Sequence, residues 1–370
     1  MEAQQQQVTE QAILEALRAV KDPDLHRDIV SLGFVQEVKI CGGQVAFKIV
    51  LTTPACPVRD RLRDEARTVV SAIPGVKQVN VQMDAKVVST QGIPERQAIP
   101  GIRNILVVGS GKGGVGKSTV AANLAISLAQ MGARVGLMDG DIYGPNIPLM
   151  LGITEQPMVQ NERVLPVIQY GLKVISMGFF NRGDNPVIWR GPMLHSAVQQ
   201  FLKQVTWGDL DYLLVDLPPG TGDVQLTLVQ SVPLTGAIVV STPQDVALQD
   251  ARKAIMMFKQ MKVDVLGIVE NMSYYLCPHC HERSDIFSHG GAKKASDRFE
   301  VPFLGEIPLD VAIREGGDNG LPITVSQPKS DLSKIFAKVA EQLAAQISIS
   351  NFKQAAPVSV SLASHHFHPE

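Results

Sequence analysis

The stretch Gly109-Ser110-Gly111-Lys112-Gly113-Gly114-Val115-Gly116-Lys117-Ser118-Thr119 carries the residue types and spacing that most directly specify chemistry. It fits G-x-x-x-x-G-K-[ST], with Gly111 and Gly116 as the outer glycines, Lys117 as the phosphate-reaching lysine and Ser118 as a magnesium-holding hydroxyl. The glycines remove side chains so that backbone N–H groups can converge on an anion, and a helix opening at Lys117 adds its positive end. The expected ligand is a nucleoside triphosphate held along Gly111 to Thr119. A tight turn between strand and helix would also use glycines. The apolar run Ile105 to Val108 and the segment Ala121-Ala122-Asn123-Leu124-Ala125 supply the flanking strand and helix that a phosphate loop requires.

Further carboxylates and thiols stand where they could join that site. Asp139 and Asp141 close an apolar segment, and residues two apart on extended chain face the same way. Both could therefore point into one site at the carboxyl end of a strand, where ligands sit in open α/β sheets; a pair of surface turn acids is the plainer reading. Leu213-Leu214-Val215-Asp216 is an apolar strand ending in an acid, the form of a magnesium-linked carboxylate. The run Pro218-Pro219-Gly220-Thr221-Gly222-Asp223 then reads as a switch loop that its glycines permit to move.

Cys277-Pro278-His279-Cys280 offers two closely spaced sulfurs, whereas a structural zinc or an iron-sulfur cluster generally takes four ligands. Two chains would supply four. Thiolates suit both metals, so zinc, even a zinc completed by His279 or His281 within one chain, stays open beside iron, as does an unligated surface pair. The strand-then-helix setting of a thioredoxin-like pair is missing. Cys56 stands between Pro54 and Pro57 where a strand gives way to a helix, a position that favours thiolate. A small buried hydrophobe at a turn fits it equally, and Cys41 beside Gly42-Gly43 reads as structural.

The elements that must position these groups follow from periodicity. Gln11 to Val20 and Val58 to Ser71 read as helices, and Val35 to Ile40, Val45 to Leu51 and Val76 to Met83 as strands. Beyond a linker rich in Gly and Pro, apolar strands at Val135 to Met138, Val174 to Met177, Tyr212 to Val215, Ala237 to Ser241, Val265 to Val269 and Phe303 to Ile307 alternate with helical segments. These include Lys117 to Met131, Asp245 to Met261 and a last helix, Asp331 to Ile347. The expected fold is α/β: a mostly parallel sheet covered by helices on both faces, with a small N-terminal α/β domain. The expected divisions are 8–83, a linker at 84–103, a nucleotide domain at 104–347 and a disordered tail at 348–370 that carries His365, His366 and His368.

With Lys112 added, the loop reads K-G-G-x-x-G-K-S and resembles the deviant-Walker class, which includes MinD, ParA and nitrogenase iron protein. The resemblance implies that Lys112 reaches across a dimer interface to the partner's nucleotide, that Asp139 helps organise magnesium, and that Asp141 positions the attacking water. It also makes Asn271 a contact to the base; an amide can both donate to and accept from an adenine edge. Glu270-Asn271-Met272-Ser273-Tyr274 leading into Cys277-Pro278-His279-Cys280 resembles the Mrp/ApbC-type iron-sulfur cluster carrier ATPases. That family implies paired cysteines of two protomers holding a bridging 4Fe-4S cluster, with ATP slowly hydrolysed and the cluster loaded onto apoproteins. Asp22-Pro23-Asp24, Ser31-Leu32-Gly33-Phe34-Val35 and Leu51 to Pro57 resemble the MIP18-type domain of iron-sulfur assembly proteins, which makes Cys56 a candidate accessory thiol. The implied cofactors are ATP, Mg2+ and a 4Fe-4S cluster, and the implied partners are a second copy, a cluster donor and client apoproteins.

Bulk properties narrow the alternatives. At 370 residues and 45% hydrophobic composition the chain can bury two cores, and a net charge of -2 gives no polybasic field for nucleic acid or an anionic membrane. Met1 to Glu10 lacks a basic-then-apolar leader and no apolar run approaches the ~18 residues of a membrane span, so a cytoplasmic protein is expected. Four cysteines are too sparse for a disulfide framework. Two rival readings keep the same loop: a MinD- or ParA-like positioning ATPase, for which the last helix offers only Lys334 and Lys338, and a zinc-bridged dimeric scaffold.

Overall fold

The computed structural model describes residues 8–87, 99–141, 144–179, 196, 200–222, 225–226, 229–230 and 234–355. The terminal histidines, Asp223 of the expected switch loop and most of the expected linker lie outside them.

The N-terminal unit is built from α1 (Glu10–Leu17), β1 (Lys21–Asp22), β2 (Arg27–Asp28), β3 (Val35–Cys41), β4 (Gln44–Leu51), α2 (Arg59–Ser71) and β5 (Gln78–Ala85). Gly42 and Gly43 turn β3 into β4 with φ of +57° and +87°, conformations that side chains resist. The α2 crossover brings β5 parallel to β4. Alternation along β4 sends Val45, Phe47, Ile49 and Leu51 into a core with Ile13, Leu17, Leu62, Ala66 and Val70.

The remainder runs through β6 (Ile102–Gly109), α3 (Lys117–Gln130), β7 (Val135–Asp139), α4 (Ile147–Met150), β8 (Met158–Gln160), β9 (Arg163–Leu165), β10 (Val167–Gln169) and β11 (Leu172–Ser176). It continues with β12 (Leu210–Asp216), β13 (Gly236–Ser241), α5 (Asp245–Gln260), β14 (Val265–Leu276), β15 (Arg283–Ser284), α6 (Gly291–Phe299) and β16 (Phe303–Leu309). It ends with α7 (Val311–Asp318), α8 (Ile323–Ser326) and α9 (Asp331–Ala355).

Among the described residues the main sheet has the order β10-β11-β7-β12-β6-β13-β14-β15, with β16 also paired to β14. Its interior pairs are parallel, and antiparallel pairing is confined to β10 with β11 and β15 with β14. Strands β7, β12 and β13 are buried along their whole length, which explains their largely apolar sequence. Helices α3 and α9 cover one face through Leu124, Leu128, Phe336, Val339 and Leu343, and α5 covers the other through Ala251, Ile255 and Phe258. Because α3 is enclosed on nearly every side, its residues are small or apolar all round instead of amphipathic. No helix among the described residues is long and apolar enough to cross a membrane.

The chain departs from expectation at its end. The last helix does not stop at Ile347, and no tail begins at Ser348, because α9 continues to Ala355. Ser350 and Asn351 are buried there: Ser350 Oγ donates to Asp264 at 3.0 Å and Asn351 Nδ2 donates to Asn104 Oδ1 at 2.9 Å. This extension also meets the N-terminal unit, where Thr52 Oγ1 donates to Ser348 Oγ at 3.1 Å and the Arg27 guanidinium lies 5.3 Å from the Phe352 ring centre. Tyr212 Oη completes the seam by donating to Thr53 Oγ1 at 3.0 Å. The expected linker is correspondingly trimmed, since β5 runs to Ala85 and β6 begins at Ile102.

Losing a buried hydrogen bond costs about 0.5–1.5 kcal/mol net, and here Asn104 Oδ1 still accepts from Thr235 Oγ1 at 3.4 Å. Asn351→Ala is therefore expected to lower the urea midpoint of the full chain measurably. Substitution of the exposed Lys334 on the same helix should leave it unchanged.

Candidate nucleotide and thiol sites

The parallel strands β6, β7 and β12 deliver their carboxyl ends to one edge of the sheet. Register places Asp216 beside both Val108 of β6 and Asp139 of β7. Gly116, at φ +78°, caps α3 in a left-handed conformation, and a Cβ there would lie 2.2 Å from Asn271 Nδ2. Gly111 does not line the cavity; it passes so close to α5 that a Cβ would fall 2.0 Å from the Asp250 carbonyl carbon. Both outer glycines are thus fixed by close approach, while Lys112, Gly113, Gly114, Val115, Gly116, Lys117, Ser118 and Thr119 border a cavity of about 1000 Å³. Asp141, Asn271, Gln225 and Arg314 border it as well.

Lys117 and Ser118 converge on Asp216. Lys117 Nζ lies 2.7 Å from Asp216 Oδ1 and Ser118 Oγ donates to Oδ2 at 2.6 Å. Burial nevertheless raises the Asp216 carboxyl above its ordinary range, with Lys117 acting in the opposite direction. Asp139 is pushed up to about 7, first by burial and then by the negative charge of Asp216. It accepts from Asp141 N–H at 3.1 Å, Ile147 N–H at 3.2 Å and Ser176 Oγ at 3.0 Å. Asp141 is also buried and accepts from Gly144 N–H at 3.2 Å. Hydroxyl and carboxylate oxygens gathered in this way are the donor set that magnesium takes, and Ser118, Asp216 and Asp139 are the residues that fit it.

Lys112 is half-buried at the cavity and has no ion-pair partner among the described residues. Asn271 stands behind the loop, its Nδ2 donating to the Val115 carbonyl at 2.9 Å. Its donor in this arrangement therefore braces the loop. Ser176 was missed in the sequence, although a hydroxyl closing an apolar strand in register with Asp139 was a usable signal. Gln225 had none.

The cysteine pair sits apart, at the end of the long strand β14, where β15 returns antiparallel. Cys277 N–H donates to the Glu282 carbonyl at 3.0 Å and His281 N–H to the Cys277 carbonyl at 2.8 Å, with His281 at φ +57°. Backbone N–H groups of Cys280 and His279, then the Cys280 side chain, lower the Cys277 thiol, and Cys280 is exposed. No third ligand joins them: among the described residues the only metal-capable group of three or more His, Cys, Asp or Glu is Glu270, His289 and Glu306. That group is closed by Arg283, whose Nη2 lies 2.6 Å from His289 Nδ1 and 3.5 Å from Glu306. Neither His279 nor His281 completes a site around Cys277 and Cys280 in this chain.

Cys56 departs from the expected thiolate. Burial first, then Asp22, Asp24 and Glu341, push its thiol up to about 11 against one favourable backbone N–H from Val58. The helix begins only at Arg59, and the thiol lies half-buried where α9 faces the small domain.

Two outcomes follow. In reduced, metal-free protein at pH 8, Cys277 should alkylate at least about ten-fold faster than Cys56, read by peptide mass spectrometry, because the thiolate is the nucleophile. Asp139, whose folded value is raised, adds stability that is full below about pH 4 and lost as pH rises through about 7. Urea unfolding of the full chain should show that loss, and Asp139→Asn should flatten it by up to about 4 kcal/mol.

Comparison with known proteins agrees with this geometry. Residues 101–344 match the family model described as NUBPL iron-transfer P-loop NTPase, and residues 10–83 match that of an iron-sulfur cluster assembly protein. The iron-sulfur cluster carrier protein of Synechocystis is 51% identical over 348 residues, 92% of this chain and 99% of the relative. Among solved structures, a nucleotide-binding protein from Archaeoglobus fulgidus in complex with ADP, in which cobalt was found, is 40% identical with a TM-score of 0.56, covering 64% of this chain and 93% of that one. The Pyrococcus furiosus cell division ATPase MinD is 28% identical with a TM-score of 0.50, covering 65% of this chain and 98% of that one. With a buried lysine–carboxylate site behind a glycine loop, a half-buried and an exposed cysteine three residues apart on the same domain, and this near end-to-end match, the chain belongs to the iron-sulfur cluster carrier family of P-loop NTPases.

Proposed function

We propose that the chain is a cytoplasmic, ATP-dependent carrier that holds a bridging 4Fe-4S cluster between two copies of itself and transfers it to apoproteins, hydrolysing ATP. The observation that carries this reading is the pair Cys277 and Cys280, presented on an exposed hairpin with no third ligand from its own chain among the described residues. Two sulfurs make half a coordination shell, and a second copy supplies the other half.

Loop N–H groups from Lys112 to Thr119 would cradle the phosphates, with Gly111 seating the loop against α5, and Lys117 would bring positive charge to their β/γ end. Magnesium, when bound, supplies charge neutralisation at the bridging oxygens, and Ser118, Asp139 and Asp216 are the groups to hold it. Lys112 would reach the nucleotide of the facing copy, Asn271 would stand at the base side, and Asp141 would orient the water whose oxygen attacks the γ-phosphorus as the bond to ADP breaks. Cys56, protonated and half-enclosed, would take an accessory part at most. A cluster donor and client apoproteins are the partners; the net charge of -2 offers no general attraction for nucleic acid or an anionic membrane.

Anaerobic reconstitution of the full chain tests this. Wild type should elute as a dimer with about four iron and four sulfide, and Cys277→Ala or Cys280→Ala should hold less than about a tenth of that load. A Cys277→Ala protein with its full load would sink the proposal. Zinc in place of iron after purification without oxygen would favour the scaffold, and ATP-dependent sedimentation with vesicles or DNA would favour a positioning ATPase.

A further inference from the structure

Glu270, His289 and Glu306 come together beside the base of the cysteine hairpin, one ligand atom from each lying within 4.8 Å of the others. Three elements deliver them. Strands β14 and β16 run parallel with Glu270 opposite Glu306, and His289 stands in the turn just before α6. Glu270 is fully buried, and its carboxylate is fixed by the Ser273 hydroxyl and by the Gly290 and Ala292 N–H groups. Water reaches the group from the other side, through the half-buried Glu306 and the exposed His289.

A positive charge already holds this arrangement together. Like charges directly opposite on neighbouring strands repel, and the Arg283 guanidinium offsets that, its Nη2 lying 2.6 Å from His289 Nδ1 and 3.5 Å from Glu306 Oε2. A guanidinium only donates, so Nδ1 accepts and aims its lone pair at the position that Arg283 fills. Arg283 is a replaceable occupant, however. It sets one positive charge against two carboxylates, it is 40% exposed, and its Nε pairs with the exposed Asp285 at 3.1 Å, a partner it keeps on swinging outward.

We propose that Glu270, His289 and Glu306 form a binding site for a divalent transition cation such as zinc or ferrous iron, which the cation and the Arg283 guanidinium occupy in turn. One imidazole nitrogen and two carboxylate oxygens, with water in the remaining positions, are a donor set that such ions accept. Ligand atoms bonded to one zinc at about 2.0–2.2 Å lie within about 4.4 Å of one another, so the group has to close by only roughly half an ångström. The exchange reaches the thiols, because Arg283 lies 4.1 Å from the Tyr274 ring centre and pairs with Leu276 across the β14–β15 ladder, next to Cys277. A cation in the site frees the guanidinium from Tyr274 and loosens the base of the hairpin. None of the three ligands belongs to the nucleotide or thiol sites, so the cation site stands apart from both of those readings.

The test uses the full chain carrying Cys277→Ser and Cys280→Ser, which removes the competing thiols, dialysed against micromolar zinc in excess magnesium and analysed for metal. This parent should hold one zinc per chain more than the same protein with His289→Gln or Glu306→Gln added, either of which should weaken the site at least about ten-fold. The terminal histidines and the acids at the nucleotide cavity are common to all three proteins and cancel in the comparison. Glu270 is left in place because its hydrogen bonds belong to the fold. Arg283→Gln, which removes the resident charge, should tighten zinc at least about ten-fold. With zinc bound, the amide of residue 277, which donates to the Glu282 carbonyl, should exchange at least about three-fold faster in the parent and not in the His289→Gln protein. Equal zinc in the parent and in both ligand variants would overturn the site. Unchanged affinity in Arg283→Gln, or a residue 277 amide that zinc does not speed up, would overturn the exchange with Arg283.

Discussion

The Lys117–Asp216 pair is the constraint on which the site depends. A lysine at the first position of α3 and an acid at the last position of β12 meet at 2.7 Å only because β6 and β12 are adjacent and parallel in this register. Both groups are nearly inaccessible to water, so each is tolerable mainly in the presence of the other. The account does not balance locally, however. Asp139 and Asp141 are also buried at this edge, giving three carboxylates around one buried ammonium. The Asp139 carboxyl is correspondingly pushed up to about 7, by burial first and then by the charge of Asp216. A divalent cation arriving with phosphates meets that excess, which gives the acids a physical reason to be so close together.

The route from this site to the cysteines is a single strand. Asn271 binds the loop through the Val115 carbonyl, Met272 follows at φ +54°, and the ladder between β14 and β16 loses register between Asn271 and Tyr275. Just before that break Glu270 is pinned from three sides, accepting from Ser273 Oγ at 2.6 Å, Gly290 N–H at 3.2 Å and Ala292 N–H at 2.6 Å. Beyond it the Arg283 guanidinium stacks 4.1 Å from the Tyr274 ring centre and clasps β15 to the hairpin base. A fixed carboxylate is thus followed by an irregular segment whose Tyr274 is covered by Arg283.

How much of this could be read from the sequence depended on how local the determining interactions are. The phosphate loop, the parallel core strands and the strand-ending acids were legible because each is a short contiguous pattern: Ile105 to Val108, then glycines, then Lys117, or Leu213 to Val215, then Asp216. The end of α9 was not, since Ser350 and Asn351 look like solvated residues until Asp264 and Asn104 are brought to them from elsewhere in the chain. The short strands β8, β9, β10 and β15 escaped because two- or three-residue segments carry no measurable period. The thiolate expected at Cys56 rested on the nearby helix start, which tertiary packing then overrode by enclosing the sulfur with three acids around it.

That last reversal divides the thiols by what each environment can support. At Cys277, backbone N–H groups point at the sulfur and water reaches the hairpin, so a thiolate is stabilised where a ligand can enter and leave. At Cys56, burial and Asp22, Asp24 and Glu341 disfavour the anion, in a seam held by Tyr212 with Thr53 and by Thr52 with Ser348. Soft-metal ligation needs the anion. Opening that seam to expose the sulfur would break both hydrogen bonds and uncover Ala55 from the core it shares with the large domain. The assembled chain thus leaves the hairpin of Cys277 and Cys280 open to water and keeps Cys56 closed by the contact between its two parts.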